Sequence, residues 1–173
     1  GRRPDGRSSR RVSRPGVEAA RVALAALGLP AGATLEAVTS GHINESWRVA
    51  LPDGDVLLQW LNHGVFPEAD AVQDNAEVVL EHLAAAARQG IVPALLAVPD
   101  GPRRVRLDSG LWRAFDWLPG RDVHERPADA GMARTAGAAL GRVLHDLRAL
   151  PAERVRPVLA RFHDLDVRLA DFD

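Results

Sequence analysis

The sequence predicts an α+β fold: a twisted antiparallel sheet with helices around it, running on into a segment that is helical only. Three observations carry that expectation. Runs of strand composition bounded by Gly, Pro and Asp turns fall only before residue 119. A single long run of helical period, residues 67–89, interrupts them. After Pro127 the apolar positions Met132, Ala136, Leu140, Val143, Leu144 and Leu147 recur at helical spacing, and no strand pattern follows.

The elements can be taken in chain order. Residues 1–16 carry six arginines and no apolar run, so neither a secretory signal nor a membrane anchor is written there, and a disordered arm is expected. Residues 17–27 form an alanine-rich helix stopped by Gly28 and Pro30. Residues 34–39 and 45–51 have strand composition on either side of Ser40-Gly41-His42-Ile43-Asn44, and Pro52-Asp53-Gly54-Asp55 turns the chain into a third strand, 56–61. Together they predict a three-stranded antiparallel meander. In the 67–89 helix, Val72, Val79, Leu80, Leu83, Ala86 and Ala87 mark the inward stripe, and Gly90 follows as a stop. Residues 94–98, 103–107 and 111–118 supply two or three further strands, for about five or six in the sheet. Residues 152–173 continue in amphipathic helical fashion.

Composition excludes several kinds of function. The 173 residues carry 46% hydrophobic and 26% charged side chains at a formal net charge of -1, which suits an ordinary globular chain in a cytoplasmic setting, with no membrane span. No field-driven partner is implied. Nucleic acid, which only the arginine arm would serve, ranks last among partners. Without cysteine there is neither a disulfide framework nor a cysteine-ligated zinc site. Lysine is absent throughout, so a Walker-type phosphate loop, a pyridoxal Schiff base and a strand lysine aimed at nucleotide phosphates are all excluded.

Specific motifs then stand out. Gly41-His42-Ile43-Asn44-Glu45-Ser46, Leu57-Leu58-Gln59-Trp60-Leu61-Asn62 and Val65-Phe66 resemble, in content and spacing, the aminoglycoside/choline phosphotransferase family, most closely its N-acetylhexosamine 1-kinase branch. Leu111-Trp112-Arg113-Ala114-Phe115-Asp116-Trp117-Leu118-Pro119-Gly120 resembles that family's hinge, and Leu140-Gly141-Arg142-Val143-Leu144-His145 the first long helix after it. The resemblance implies a protein-kinase-like amino lobe over 17–120 and the first helices of a carboxy lobe over 121–173. It also implies phosphorylation of a small hydroxylated acceptor, such as an amino sugar at its anomeric hydroxyl, by ATP or GTP with magnesium in the complete protein.

Each candidate residue also has a plain reading. Ser40 and Gly41 between two strands would let backbone amides approach phosphate oxygens, since glycine removes the obstructing side chain; an ordinary hairpin turn accounts for the same residues. His42 and Asn44 at the hairpin tip are candidates for phosphate or substrate contact and equally common turn formers. Gln59 occupies the position where the resemblance implies a strand cation, and strand alternation groups Leu57, Gln59 and Leu61 on one face, toward the cleft. The corresponding helix glutamate is replaced by Asn75, between Val72 and Val79, while Glu77 and Glu81 lie off that stripe. Gln59 and Asn75 are therefore expected to pair as two amides without a buried charge. Phe115, Asp116, Trp117 and Leu118 would offer backbone groups and apolar walls to a base, or simply form an interior strand. His145-Asp146 and His163-Asp164 read as solvated helix charges, because adjacent helical side chains diverge by about 100°.

Kinase chemistry needs an aspartate that orients the acceptor and an asparagine five residues on for the metal. Asparagine occurs only at 44, 62 and 75, all before the hinge segment. No catalytic or metal-binding residue is therefore assigned, and the chain is expected to be about half a kinase, inactive and requiring no cofactor alone. The alternative is a module of the same fold that holds a nucleotide or a partner without chemistry.

Overall fold

In the computed structural model, residues 13–88, 90–96, 101–118, 124, 126–159, 162 and 165–170 are described. The arm, Pro119, Gly120, His163 and Asp164 fall wholly or largely outside them, and with them the expected disorder of residues 1–12. Helix α1 (Val17–Ala26) precedes strands β1 (Thr34–Ala37), β2 (Glu45–Ala50) and β3 (Val56–Leu61). Helices α2 (Ala69–His82) and α3 (Ala84–Arg88) lead to β4 (Arg104–Leu107) and β5 (Gly110–Asp116). Then come α4 (Ala130–Leu147), a 3-10 turn (Ala152–Arg154) and α5 (Leu165–Ala170).

The strands form one antiparallel sheet in the order β1-β2-β3-β5-β4, the expected meander followed by a hairpin inserted through its second strand. This is an α+β arrangement of the kinase-like amino-lobe type. The run at 67–89 is broken at Leu83 into α2 and α3. The strand expected at 94–98 is reduced to a single bridge, Leu95 to Phe115, with 97–100 outside the described residues.

Strand alternation gives the sheet two unlike faces. On one, Trp47, Val49, Val56, Leu58, Trp60, Trp112 and Ala114 are buried under Ala20, Ala23, Leu24 and Leu27 of α1 and its cap. Trp47 and Trp112 stack at 5.4 Å between ring centroids. Both deep indoles find acceptors at one residue: Trp60 Nε1 donates to the Ser109 carbonyl at 2.6 Å, and Trp112 Nε1 to Ser109 Oγ at 2.9 Å. Such bonds matter because a buried indole N–H without an acceptor costs a full desolvation penalty. Gly110 is required beside them, at φ +122°, because a Cβ there would lie 2.6 Å from Trp60 Nε1.

The opposite face is more polar. Its far end is closed by Leu61 and Leu111 packing on Ala69 and Val72 of α2. Further along, α2 docks through charge: Arg104 reaches Asp74 and Glu77, Arg106 reaches Asp70, and Arg103 reaches Glu81. The acidic side of α2 therefore lies against β4. Glu77 and Glu81, expected off the inward stripe, are part of the docking surface.

Candidate functional site

The sheet face opposite α1 carries a row of four residues, one from each of four strands. Register places Ser46 opposite Gln59, Gln59 opposite Arg113, and Arg113 opposite Arg104. The next row toward the hinge pairs Leu57 with Phe115. Leu57, Gln59 and Leu61 share this face, as alternation in β3 requires, while Val56, Leu58 and Trp60 point into the α1 core.

Gln59 is half-buried and bridges its neighbours. Its Nε2 donates to Ser46 Oγ at 3.2 Å, and its Oε1 accepts from Arg113 Nε at 3.0 Å and Nη2 at 2.7 Å. Arg113, only 9% exposed, also donates from Nη1 to Gln73 Oε1 at 3.2 Å. Gln73 is fully buried and passes its own Nε2 to Glu77 Oε1 at 3.0 Å. The Arg113 guanidinium lies 4.9 Å from the Phe115 ring centroid, within cation–π range. Burial pulls the Arg113 pKa down to about 10, which still leaves the group charged at neutral pH.

The pairing of Gln59 with Asn75 is not what the structure forms. Asn75 turns to the segment after α4, donating from Nδ2 to the Arg156 carbonyl at 2.7 Å and accepting from the Arg156 amide at 2.9 Å. Gln73 takes the inward place instead, two residues earlier and about 200° around the helix. Helical periodicity of apolar residues missed it because α2 meets the sheet with charges as well as methyl groups. Arg113 also escaped notice. Its signal was an arginine at an alternate position between Leu111 and Phe115, on the face that also carries Gln59.

The remaining expected site residues divide between loop and hinge. Ser40, Gly41 and His42 are exposed in the β1–β2 loop, where the Arg14 guanidinium donates to the His42 carbonyl at 3.2 Å. A Cβ on Gly41 would make only an ordinary contact, 3.6 Å from the Asn44 carbonyl, so the local backbone does not demand glycine. Asn44 has a structural partner: its Oδ1 accepts from the Asn62 amide at 3.1 Å, tying the loop to the end of β3. In the hinge, the Asp116 carboxylate accepts from the Ala94 amide and its own amide donates to the Ala94 carbonyl, while the Trp117 amide donates to the Asp55 carbonyl at 3.1 Å. The Trp117 ring lies 5.4 Å from the Arg48 guanidinium. Leu118 is half-buried, and its amide makes no hydrogen bond among the described residues.

This geometry sets Leu57 beside Phe115, between Leu118, whose amide is unengaged among the described residues, and a buried cation held by two amides. Residues 34–172 match the model of the phosphotransferase enzyme family. The chain belongs to that family. The matched residues run from the first residue of β1 past the end of α5, so the five-stranded sheet and the helices after it both fall within the match. Among the described residues, no three His, Asp or Glu side chains gather as a metal-ligand set. Nor, among them, is any helix long and apolar enough to cross a membrane.

Proposed function

We propose that the sheet face opposite α1 binds ATP or GTP, as the nucleotide-holding part of a kinase that phosphorylates a small hydroxylated acceptor. The observation that carries this reading is the juxtaposition of the Leu57–Phe115 pair and the buried Arg113 cation on one face of a phosphotransferase-family sheet, with the Leu118 amide, unengaged among the described residues, two residues past the end of β5. A base would lie against the half-buried Leu57, beside the buried Phe115, and bond the backbone at Leu118, flanked by Asp116 and Trp117, with its phosphates toward Gln59. The exposed Ser40-Gly41-His42 loop would cover them with backbone amides. In this reading residues 17–120 are the nucleotide lobe and 121–173 open the helical lobe. The protein works in the cytoplasm, where nucleoside triphosphates are supplied.

The hairpin and third-strand motifs resemble the N-acetylhexosamine 1-kinase branch, which makes an amino sugar the acceptor to test first. Magnesium would arrive on the phosphates and neutralise their charge. In this reading the lobe's own part is to hold and orient the nucleotide.

Titration calorimetry of the purified chain with magnesium and ATP, GTP or adenosine tests the reading, with N-acetylhexosamine added in a parallel turnover assay. Saturable nucleotide binding without phosphotransfer is expected. If none of the three binds, the proposal is overturned, and turnover by this chain overturns the reading of it as non-catalytic.

A further inference from the structure

We infer that Arg113 is the phosphate-recognising cation of this face, binding an anionic oxygen of the nucleotide through the two N–H groups that Gln59 and Gln73 leave unused. The inference rests on the nucleotide-binding reading above and names the residue that confers phosphate selectivity in a lobe whose third strand carries glutamine.

The first support is charge accounting. Arg104 and Arg113 face each other across β4 and β5, two like charges in one cross-strand row. Arg104 is answered by Asp74 at 2.6 Å and Glu77 at 3.3 Å. Arg113 makes no ion pair among the described residues; both acceptors that it meets are neutral amide oxygens. A nearly enclosed guanidinium held only by amides retains most of its charge for another anion, and burying it uncompensated is costly.

The second support is donor counting. A guanidinium carries five N–H groups, and three are engaged here, two of them on a single oxygen. One N–H on Nη1 and one on Nη2 remain. Two N–H groups at neighbouring nitrogens are the fork with which arginine binds phosphate oxygens. The third support is orientation. Gln59 is fixed by Ser46 and Gln73 by Glu77, so the plane of the guanidinium is set from two elements, β3 and α2, before any ligand arrives.

The test compares ATP, ADP and adenosine, each with magnesium, on the full chain and three variants by calorimetry, with thermal melting in parallel. Arg113→Gln is expected to weaken ATP and ADP by about 10- to 100-fold while leaving adenosine unchanged. Arg113→Lys should retain part of that preference. Gln59→Glu should raise the melting temperature, because its carboxylate pairs the buried cation and can still accept from Ser46 Oγ, and yet weaken ATP, because it neutralises the charge the phosphate uses. A structural role alone predicts no such opposition. Equal losses for ATP and adenosine, or an unchanged ATP-to-adenosine ratio in Gln59→Glu, would overturn the inference. Wild-type chain that binds ATP and adenosine equally would overturn it while leaving the nucleotide reading intact; wild-type chain that binds neither removes both. Should Arg113→Gln fail to fold, Gln59→Glu decides alone, since it keeps the arginine.

Discussion

Arg113 and Gln59 sit directly opposite each other on adjacent antiparallel strands, and the guanidinium donates twice to a single side-chain oxygen, at 2.7 and 3.0 Å. The bond crosses 54 residues of sequence and joins the third strand to the strand that enters the hinge. Through Gln73 it also reaches α2. Two strands, β3 and β5, and helix α2 are therefore joined at one buried group.

Removing the acceptor should expose the cost of that group. Gln59→Leu keeps the side-chain volume roughly constant but leaves two guanidinium N–H groups unsatisfied, and is expected to destabilise the chain by roughly 1–3 kcal/mol. Urea unfolding measures it. Gln59→Glu should cost less or add stability, because the carboxylate accepts the same bonds and answers the charge. Equal losses in the two variants would show that Arg113 finds other partners.

Asn75 belongs to a different connection. Asn75→Ala removes both bonds to the Arg156 backbone and is expected to cost about 1–2 kcal/mol. Hydrogen exchange at the Arg156 amide should quicken. Combined with Gln59→Leu, the effects should add to within about 0.5 kcal/mol, because the two residues share no bonded partner. A larger coupling energy would restore the pairing of the two amides that the structure does not form.

Gly110 is a position where a methyl group has no room. Gly110→Ala places Cβ against the Trp60 indole at a φ of +122°, and should cost at least about 2 kcal/mol while displacing the Trp60 bond to Ser109. A red-shifted tryptophan emission at equal temperature would accompany the loss in thermal stability.

Gly137, in the middle of α4, has open space where a Cβ would go. Gly137→Ala is expected to stabilise that helix by about 0.5–1 kcal/mol, through backbone entropy alone. Its far-ultraviolet melting curve checks the sign, which is opposite to that at Gly110.

Much of the fold was written in local pattern. Val56–Leu61 emerged with the expected bounds, because six residues of strand composition lie between a Pro-Asp-Gly turn and a polar loop. The start of α4 follows Asp129, whose side chain accepts from the Met132 amide as an N-terminal cap should. Period two in β3 also settled, without tertiary information, that Leu57, Gln59 and Leu61 share a face. Composition had already removed lysine from any phosphate contact.

Which residues meet on that face was decided only by tertiary structure. Gln59 finds Arg113 because β5 inserts next to β3, an adjacency set by sheet order and not by any feature near either residue. The rotation of α2 was likewise beyond its own sequence. Apolar period favoured a stripe through Asn75, but the helix docks with Asp70, Asp74, Glu77 and Glu81 against three arginines at or beside β4, and that ionic seam turns Gln73 inward and Asn75 toward Arg156. Hydrophobic patterning determines a helix's facing only where hydrophobic burial holds it in place. Here opposite charges brought together from distant segments set the angle, and the chain's linear order records neither their approach nor their register.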